Sequence, residues 1–256
     1  MLLWLFARLE RWAAPAPEAG RIAFLTAQPF AHRGLHSRIR IENSRSAFRA
    51  AVAAGHGIEL DVQAAAGGEA FVFHDSDLDR LTPARGPFHA RTADALDAIP
   101  LAGTGETIPR LDEVLRLIAG RVPVLIEVKS PRQRRTALCL AVRRATEGYL
   151  GDVGIMSFDP RISAWFAEHS PRTIRGLVIS DQAQGHSRIS QAIRRLGALR
   201  LAKPDFLAYD IRDLPSPTTQ AARQRGMPVL TWTVRDTADA QCAADYADQP
   251  IYEIAE

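Results

Sequence analysis

The sequence predicts an α/β protein built as a (β/α)8 TIM barrel, and three observations carry that prediction. Eight short apolar segments, 29–33, 58–62, 70–74, 123–128, 153–157, 174–179, 206–210 and 228–234, have the length and residue types of strands. Helix-like stretches separate most of them, the alternation expected of parallel strands covered by helices. No G-x-G-x-x-G follows the first strand, so an open, doubly wound nucleotide-binding sheet lacks its best signal.

Taken in order, the chain opens with "MLLWLFARLERWAAPAPEAG", in which Leu2, Leu5, Phe6, Leu9 and Trp12 share one helical face. This N-terminal helix, residues 1–20, is expected to pack on the barrel; an interfacial helix giving peripheral membrane contact is the second reading. The apolar run before Arg8 is too short to span a bilayer and has no signal-peptide pattern, so the cytoplasm is the expected compartment. A single barrel domain is expected over 21–256. After its first strand, "SRSAFRAAVAAG" is a helix with Ser44 as N-cap and Gly55 as C-cap. Residues 75–107, between strands three and four, are polar with Gly and Pro and predict a small insertion over one end. The later helices are "RLDEVLRLIAG", "PRQRRTALCLAVRRATEG", "DPRISAWFAEH", "QAIRRLGALRLA" and "SPTTQAARQRG", each bounded by turn or cap residues.

Composition narrows the function classes. Of 256 residues, 46% are apolar and 24% charged, ordinary for a globular protein with a sizeable core. The net charge is +3 and the basic residues are dispersed, which argues against a nucleic-acid surface and leaves room for an anionic small molecule. Two of the 32 basic residues are lysines, Lys129 and Lys203, so a lysine at a special position is informative. Cys139 and Cys242 are far apart and read as reduced thiols rather than a disulfide.

Chemistry in such barrels gathers at the C-terminal ends of strands. Those ends carry His32 and Arg33, then Glu59 and Asp61, then His74 and Asp75, then Glu127 and Lys129, with Trp232 on strand eight. Each has an ordinary reading: a strand-end histidine is often a hydrogen-bonded loop residue, and Glu127 with Lys129 could be an interior ion pair. Together they are hard to explain as packing. Glu59 and Asp61 are two apart on a strand and face the same way, and with Glu127 they would repel unless a cation sat among them. Three carboxylates without a thiolate suit one hard divalent cation, Mg²⁺ or Ca²⁺. The histidines are then free for proton transfer, and Arg33 and Lys129 add the positive charge that a phosphoryl group requires. The pattern reads as metal-assisted attack on a phosphate ester.

The ordered motifs "AHRG" (31–34), "ENS" (42–44), "IELDV" (58–62), "FHD" (73–75), "IPRLDEVL" (108–115) and "IEVK" (126–129) resemble the glycerophosphodiester phosphodiesterase family; "MSFDP" (156–160) and "VLTWTV" (229–234) agree with its later strands. The resemblance implies a TIM barrel that hydrolyses glycerophosphodiesters to sn-glycerol 3-phosphate and an alcohol. It implies His32 and His74 as the acid–base pair, Glu59, Asp61 and Glu127 as metal ligands, and Arg33 and Lys129 as phosphate-binding residues; Trp232, on strand eight, is a further substrate-binding candidate. It also implies attack by the neighbouring glycerol hydroxyl, followed by opening of the cyclic phosphate by water. The chain departs from the family at Ile41, where a proline usually precedes "EN", and at the end, where "YADQPIYEIAE" (246–256) stands in place of a segment like "GVDGIITDRP". That leaves barrel closure open. The alternatives are a lipid-directed, lysophospholipase D-like enzyme of the same superfamily and a non-catalytic phosphate-binding barrel; a metal-dependent lyase is disfavoured by Lys129 beside Glu127.

Overall fold

The computed structural model describes residues 14, 16–129, 134–182 and 187–254. The apolar face expected of the N-terminal helix, Leu2 to Trp12, lies outside the described residues, and with it both the expected packing on the barrel and the alternative membrane contact. No helix among the described residues is long and apolar enough to cross a membrane.

The strands are β1 (Phe30–Ala31), β2 (Gly57–Ala64), β3 (Ala70–Val72), β4 (Val124–Val128), β5 (Val153–Ser157), β6 (Ile174–Ile179), β7 (Phe206–Asp210), β8 (Val229–Val234) and β9 (Gln249–Tyr252). They are hydrogen-bonded in the order β1-β9-β8-β7-β6-β5-β4-β2-β3, with β1 also on β2. Eight parallel strands close into a (β/α)8 barrel and one strand is bonded outside it. The expected fold class holds, but the membership of the barrel changes. Segment 70–74, expected as its third strand, is the outer strand β3, antiparallel to the end of β2 through Val62↔Val72 and Ala64↔Ala70. Strand β1 is only two residues long and pairs with Gly57 and Ile58, so the rest of that edge of β2 is open to β3. The eighth barrel strand is instead β9, inside the "YADQPIYEIAE" segment.

Two compact units make up the chain: residues 30–153 with 253–254, and residues 154–252 with the described residues up to 29. In the first, helix α1 (Arg45–Ala54) starts at Ser44, whose Oγ accepts a hydrogen bond from the Ala47 amide, and stops at Gly55 in the left-handed conformation. Its Ala47, Phe48 and Ala51 are buried. The insertion holds a 3₁₀ turn (Phe88–Ala90) and helix α2 (Ala93–Asp97). It has a core of its own: Leu78, Phe88, Leu96 and Leu101 pack with Phe71, Phe73 and Ile108, and the Phe73 and Phe88 rings stack with centroids 5.2 Å apart. Helices α3 (Leu111–Ile118) and α4 (Arg135–Thr146) complete this unit.

In the second unit, α5 (Pro160–His169), α6 (Arg188–Ala202), α7 (Pro217–Gln224) and α8 (Thr237–Tyr246) alternate with β5–β9. Its core includes Leu177, Leu199, Leu207, Tyr209 and Val229. Both cysteines are free.

Close approach explains why β2 begins with glycine. A Cβ on Gly57 would sit 2.5 Å from the Phe30 ring, and Phe30 is wholly buried. Gly57→Ala is therefore expected to destabilise the fold by about 1–3 kcal/mol, the usual cost of overpacking. Denaturant unfolding would read this as a lowered midpoint at unchanged slope; an unchanged midpoint would mean the ring has room to move.

Candidate active site

Strand β2 is buried at every position from Gly57 to Ala64, charged residues included. Alternation places Glu59, Asp61 and Gln63 on one face, opposite Ile58, Leu60 and Val62. Register then adds the third acid: β2 runs parallel to β4 with Asp61 level with Glu127. Glu59, Asp61 and Glu127 each present an oxygen within 4.8 Å of the other two, and all three are buried. Burial, together with the charges of Asp61 and Glu127, pushes the Glu59 carboxyl well above the usual carboxylate range. Burial likewise raises Glu127. Asp61 moves the other way: burial would raise it, but Lys129, Arg33 and the two histidines, His74 and His32, together outweigh that effect.

Two cations face the three acids. Lys129 Nζ lies 2.7 Å from Glu127 Oε1 and 3.2 Å from Asp61 Oδ1. The Arg33 backbone N–H donates to Glu59 Oε2 at 3.1 Å, and its Nε lies 3.2 Å from Asp61 Oδ2. Glu59 Oε1 is buried with no hydrogen-bond partner, and Asp61 Oδ1, which also lacks one, has only the Lys129 ammonium 3.2 Å away. An orphaned carboxylate oxygen in the interior is costly. Both atoms belong to a hard oxygen donor set that leaves one negative charge uncompensated, so the residues present fit a divalent cation.

The loops around this cluster are held in unusual backbone. Arg33 and Asn43 both have positive φ, 55° and 56°, a conformation that costs a non-glycine residue on the order of 1–2 kcal/mol. The strain aims two donors: the Arg33 amide at Glu59, and Asn43 Nδ2 at Asp61 Oδ2, 3.0 Å away. Asn43 Oδ1 in turn accepts from the Asp61 amide at 3.4 Å.

Each strand-end histidine has a carboxylate at Nδ1. His74 Nδ1 is 2.7 Å from Asp75 Oδ1, and His32 Nδ1 is 2.6 Å from Glu253 Oε1. Hydrogen bonds from Arg80 hold the Asp75 carboxyl down to about 2. Arg80 also donates twice to Glu42, which accepts from Arg33 at 2.7 Å. A continuous chain of hydrogen-bonded polar groups thus runs from His74 through Asp75, Arg80 and Glu42 to Arg33. Burial holds His32 below the usual histidine range against the opposing pull of Glu253.

The structure therefore brings His32, Arg33, Glu59, Asp61, His74, Glu127 and Lys129 together in one unit. Trp232 stands on β8 in the other, where its Nε1 donates to the Ala208 carbonyl at 3.1 Å and its ring meets Phe158 edge-on at 5.6 Å. Sequence reasoning missed Asn43, Glu42, Arg80 and Glu253 as parts of the site. A signal existed for Asn43, since asparagine is the side chain most at ease with positive φ. None existed for Glu253, 221 residues from its partner.

A sequence model of the glycerophosphoryl diester phosphodiesterase family matches residues 32–251. Two curated relatives are named glycerophosphodiester phosphodiesterase: one from Caldanaerobacter subterraneus subsp. tengcongensis, 41% identical over 108 residues, and one from Bacillus altitudinis, 36% identical over 107. Each match takes in 39% of this chain and spans under half of the relative, 44% and 43% respectively. Among solved structures, an Oleispira antarctica phosphodiesterase in complex with sn-glycerol-3-phosphate has a TM-score of 0.77 at 20% identity, covering 90% of this chain and 93% of that one. A Thermotoga maritima glycerophosphodiester phosphodiesterase has a TM-score of 0.69 at 25% identity, covering 88% and 94%.

Proposed function

Because the chain belongs to the glycerophosphoryl diester phosphodiesterase family, we propose that it is a metal-dependent phosphodiesterase, hydrolysing glycerophosphodiesters to sn-glycerol 3-phosphate and an alcohol. The observation that carries this reading is the buried carboxylate cluster of Glu59, Asp61 and Glu127, with two oxygens lacking hydrogen-bond partners. Those three residues hold the divalent cation, Mg²⁺ or Ca²⁺. When bound, the cation supplies Lewis-acid stabilisation of charge on the phosphoryl oxygens.

The protein's own residues do the rest. Arg33 and Lys129, already beside the acids, orient the single negative charge of a phosphodiester and stabilise the greater charge that develops in the transition state. His32 and His74 divide the proton transfers: one imidazole takes the proton from the attacking oxygen and the other gives one to the departing alcohol. The first attacking oxygen is the neighbouring glycerol hydroxyl, and the two imidazoles exchange roles when water opens the cyclic phosphate. Trp232, paired with Phe158, is assigned to the substrate as an apolar contact.

The test is release of glycerol 3-phosphate from a panel of glycerophosphodiesters across Mg²⁺, Ca²⁺ and Mn²⁺. Release with at least one metal, and none without, is the expected result. Substrate binding with no release under any condition would favour the phosphate-binding barrel instead. Turnover of lysophospholipids alone would favour the lipid-directed enzyme.

A further inference from the structure

We propose that Glu253 is a positioning residue for His32: its carboxylate fixes the imidazole as the Nδ1–H tautomer and turns Nε2 toward the carboxylate cluster. The inference rests on the phosphodiesterase reading for its catalytic consequence, though not for its geometry. Glu253 directly follows β9, just past residues 32–251 that the family's sequence model matches.

Three observations combine. His32 is almost fully buried, its side chain 10% exposed, and Glu253 Oε1 lies 2.6 Å from Nδ1 while Nε2 is 3.8 Å from Glu59 Oε2. An ionised carboxylate only accepts, so the short contact requires the hydrogen on Nδ1. In the neutral ring Nε2 is then a lone-pair acceptor, on the edge that faces the acids. His74 is built alike, with Asp75 at its Nδ1, so both imidazoles of the proposed acid–base pair are anchored by one nitrogen and leave the other for chemistry. The same Glu253 oxygen also lies 3.9 Å from His36 Nε2, but His32 holds the closer position.

Without Glu253 the ring would be free to flip or change tautomer, and a buried donor would lose its partner. Outer partners of this kind typically change activity about ten- to hundredfold. Glu253→Ala is expected to lower kcat by that factor, with KM within about twofold. Glu253→Gln, whose amide oxygen can still accept from Nδ1–H, is expected to recover most of the loss.

Long-range ¹H–¹⁵N correlation of the histidine rings in metal-free protein gives a readout independent of activity, with His32 assigned by its loss in His32→Asn. The wild type and Glu253→Gln should show Nδ1 protonated at His32, and Glu253→Ala a shift toward the Nε2–H form. Three results would overturn the proposal: an Nε2–H ring in the wild type, full kcat in Glu253→Ala, or Glu253→Gln as slow as Glu253→Ala. A wild type that shows the expected tautomer but no phosphodiesterase activity would sink the functional reading and leave the hold of Glu253 on the ring intact.

Discussion

Glu59→Gln, Asp61→Asn and Glu127→Gln will each lower kcat/KM for glycerophosphodiester hydrolysis on the order of 10³-fold or more, and a chelator will abolish activity reversibly. The magnitude follows from the several kcal/mol that a Lewis acid contributes, at about 1.4 kcal/mol per tenfold. The structural premise is that all three acids present oxygens within 4.8 Å of one another in the interior. An unfolding explanation is separable. Glu59 is disfavoured as an anion by its burial and by two neighbouring carboxylates, so the neutral amide should leave the metal-free protein at least as stable as the wild type. For Glu59→Gln, loss of activity with an unlowered melting temperature is the signature of a site that trades stability for function. Full activity in excess EDTA would remove the metal from the proposal.

His32→Ala and His74→Ala are expected to lower kcat by about 10²–10⁴ each, the range for general acid–base groups. Neither side chain belongs to the carboxylate cluster, so metal affinity measured by titration calorimetry should stay within a few-fold of wild type. That split distinguishes proton transfer from metal loss. Because the two imidazoles act in the same step, the double variant should fall well short of the product of the single effects. Wild-type kcat in either single variant would take that histidine out of the mechanism.

The elements that sequence reading placed well are those whose pattern is local. Helix α1 carries its own cap at Ser44 and its own stop at Gly55, and the alternation in "IELDV" exposes one face of acids and one of aliphatics. Elsewhere the local pattern misled. Segment 70–74 has strand composition, but composition does not say which edge a strand joins, and β1 is too short to occupy the edge that β3 takes. Strand β9 has four residues, one of them Pro250, and is only partly buried; a proline in so short a run argues against a strand. Yet it pairs with β8 through Leu230↔Gln249 and Thr231↔Pro250. Helix α8, unmarked in the sequence reading, has a single buried residue, Ala243.

By itself the sequence determined the barrel class and, through its ordered motifs, the family, and it supplied the metal, proton-transfer and phosphate candidates from residue type and position at strand ends. Only the tertiary structure decided how the cluster is supported. The alignment of Asp61 with Glu127 depends on strand register, and the Arg33 and Asn43 amide donors depend on two left-handed turns. Asp75 and Glu253 differ most. Asp75 is adjacent to its histidine and could be read from "FHD", whereas Glu253 reaches His32 across 221 residues. The physical reason is that a hydrogen bond has a reach of about 3 Å in space and none along the chain.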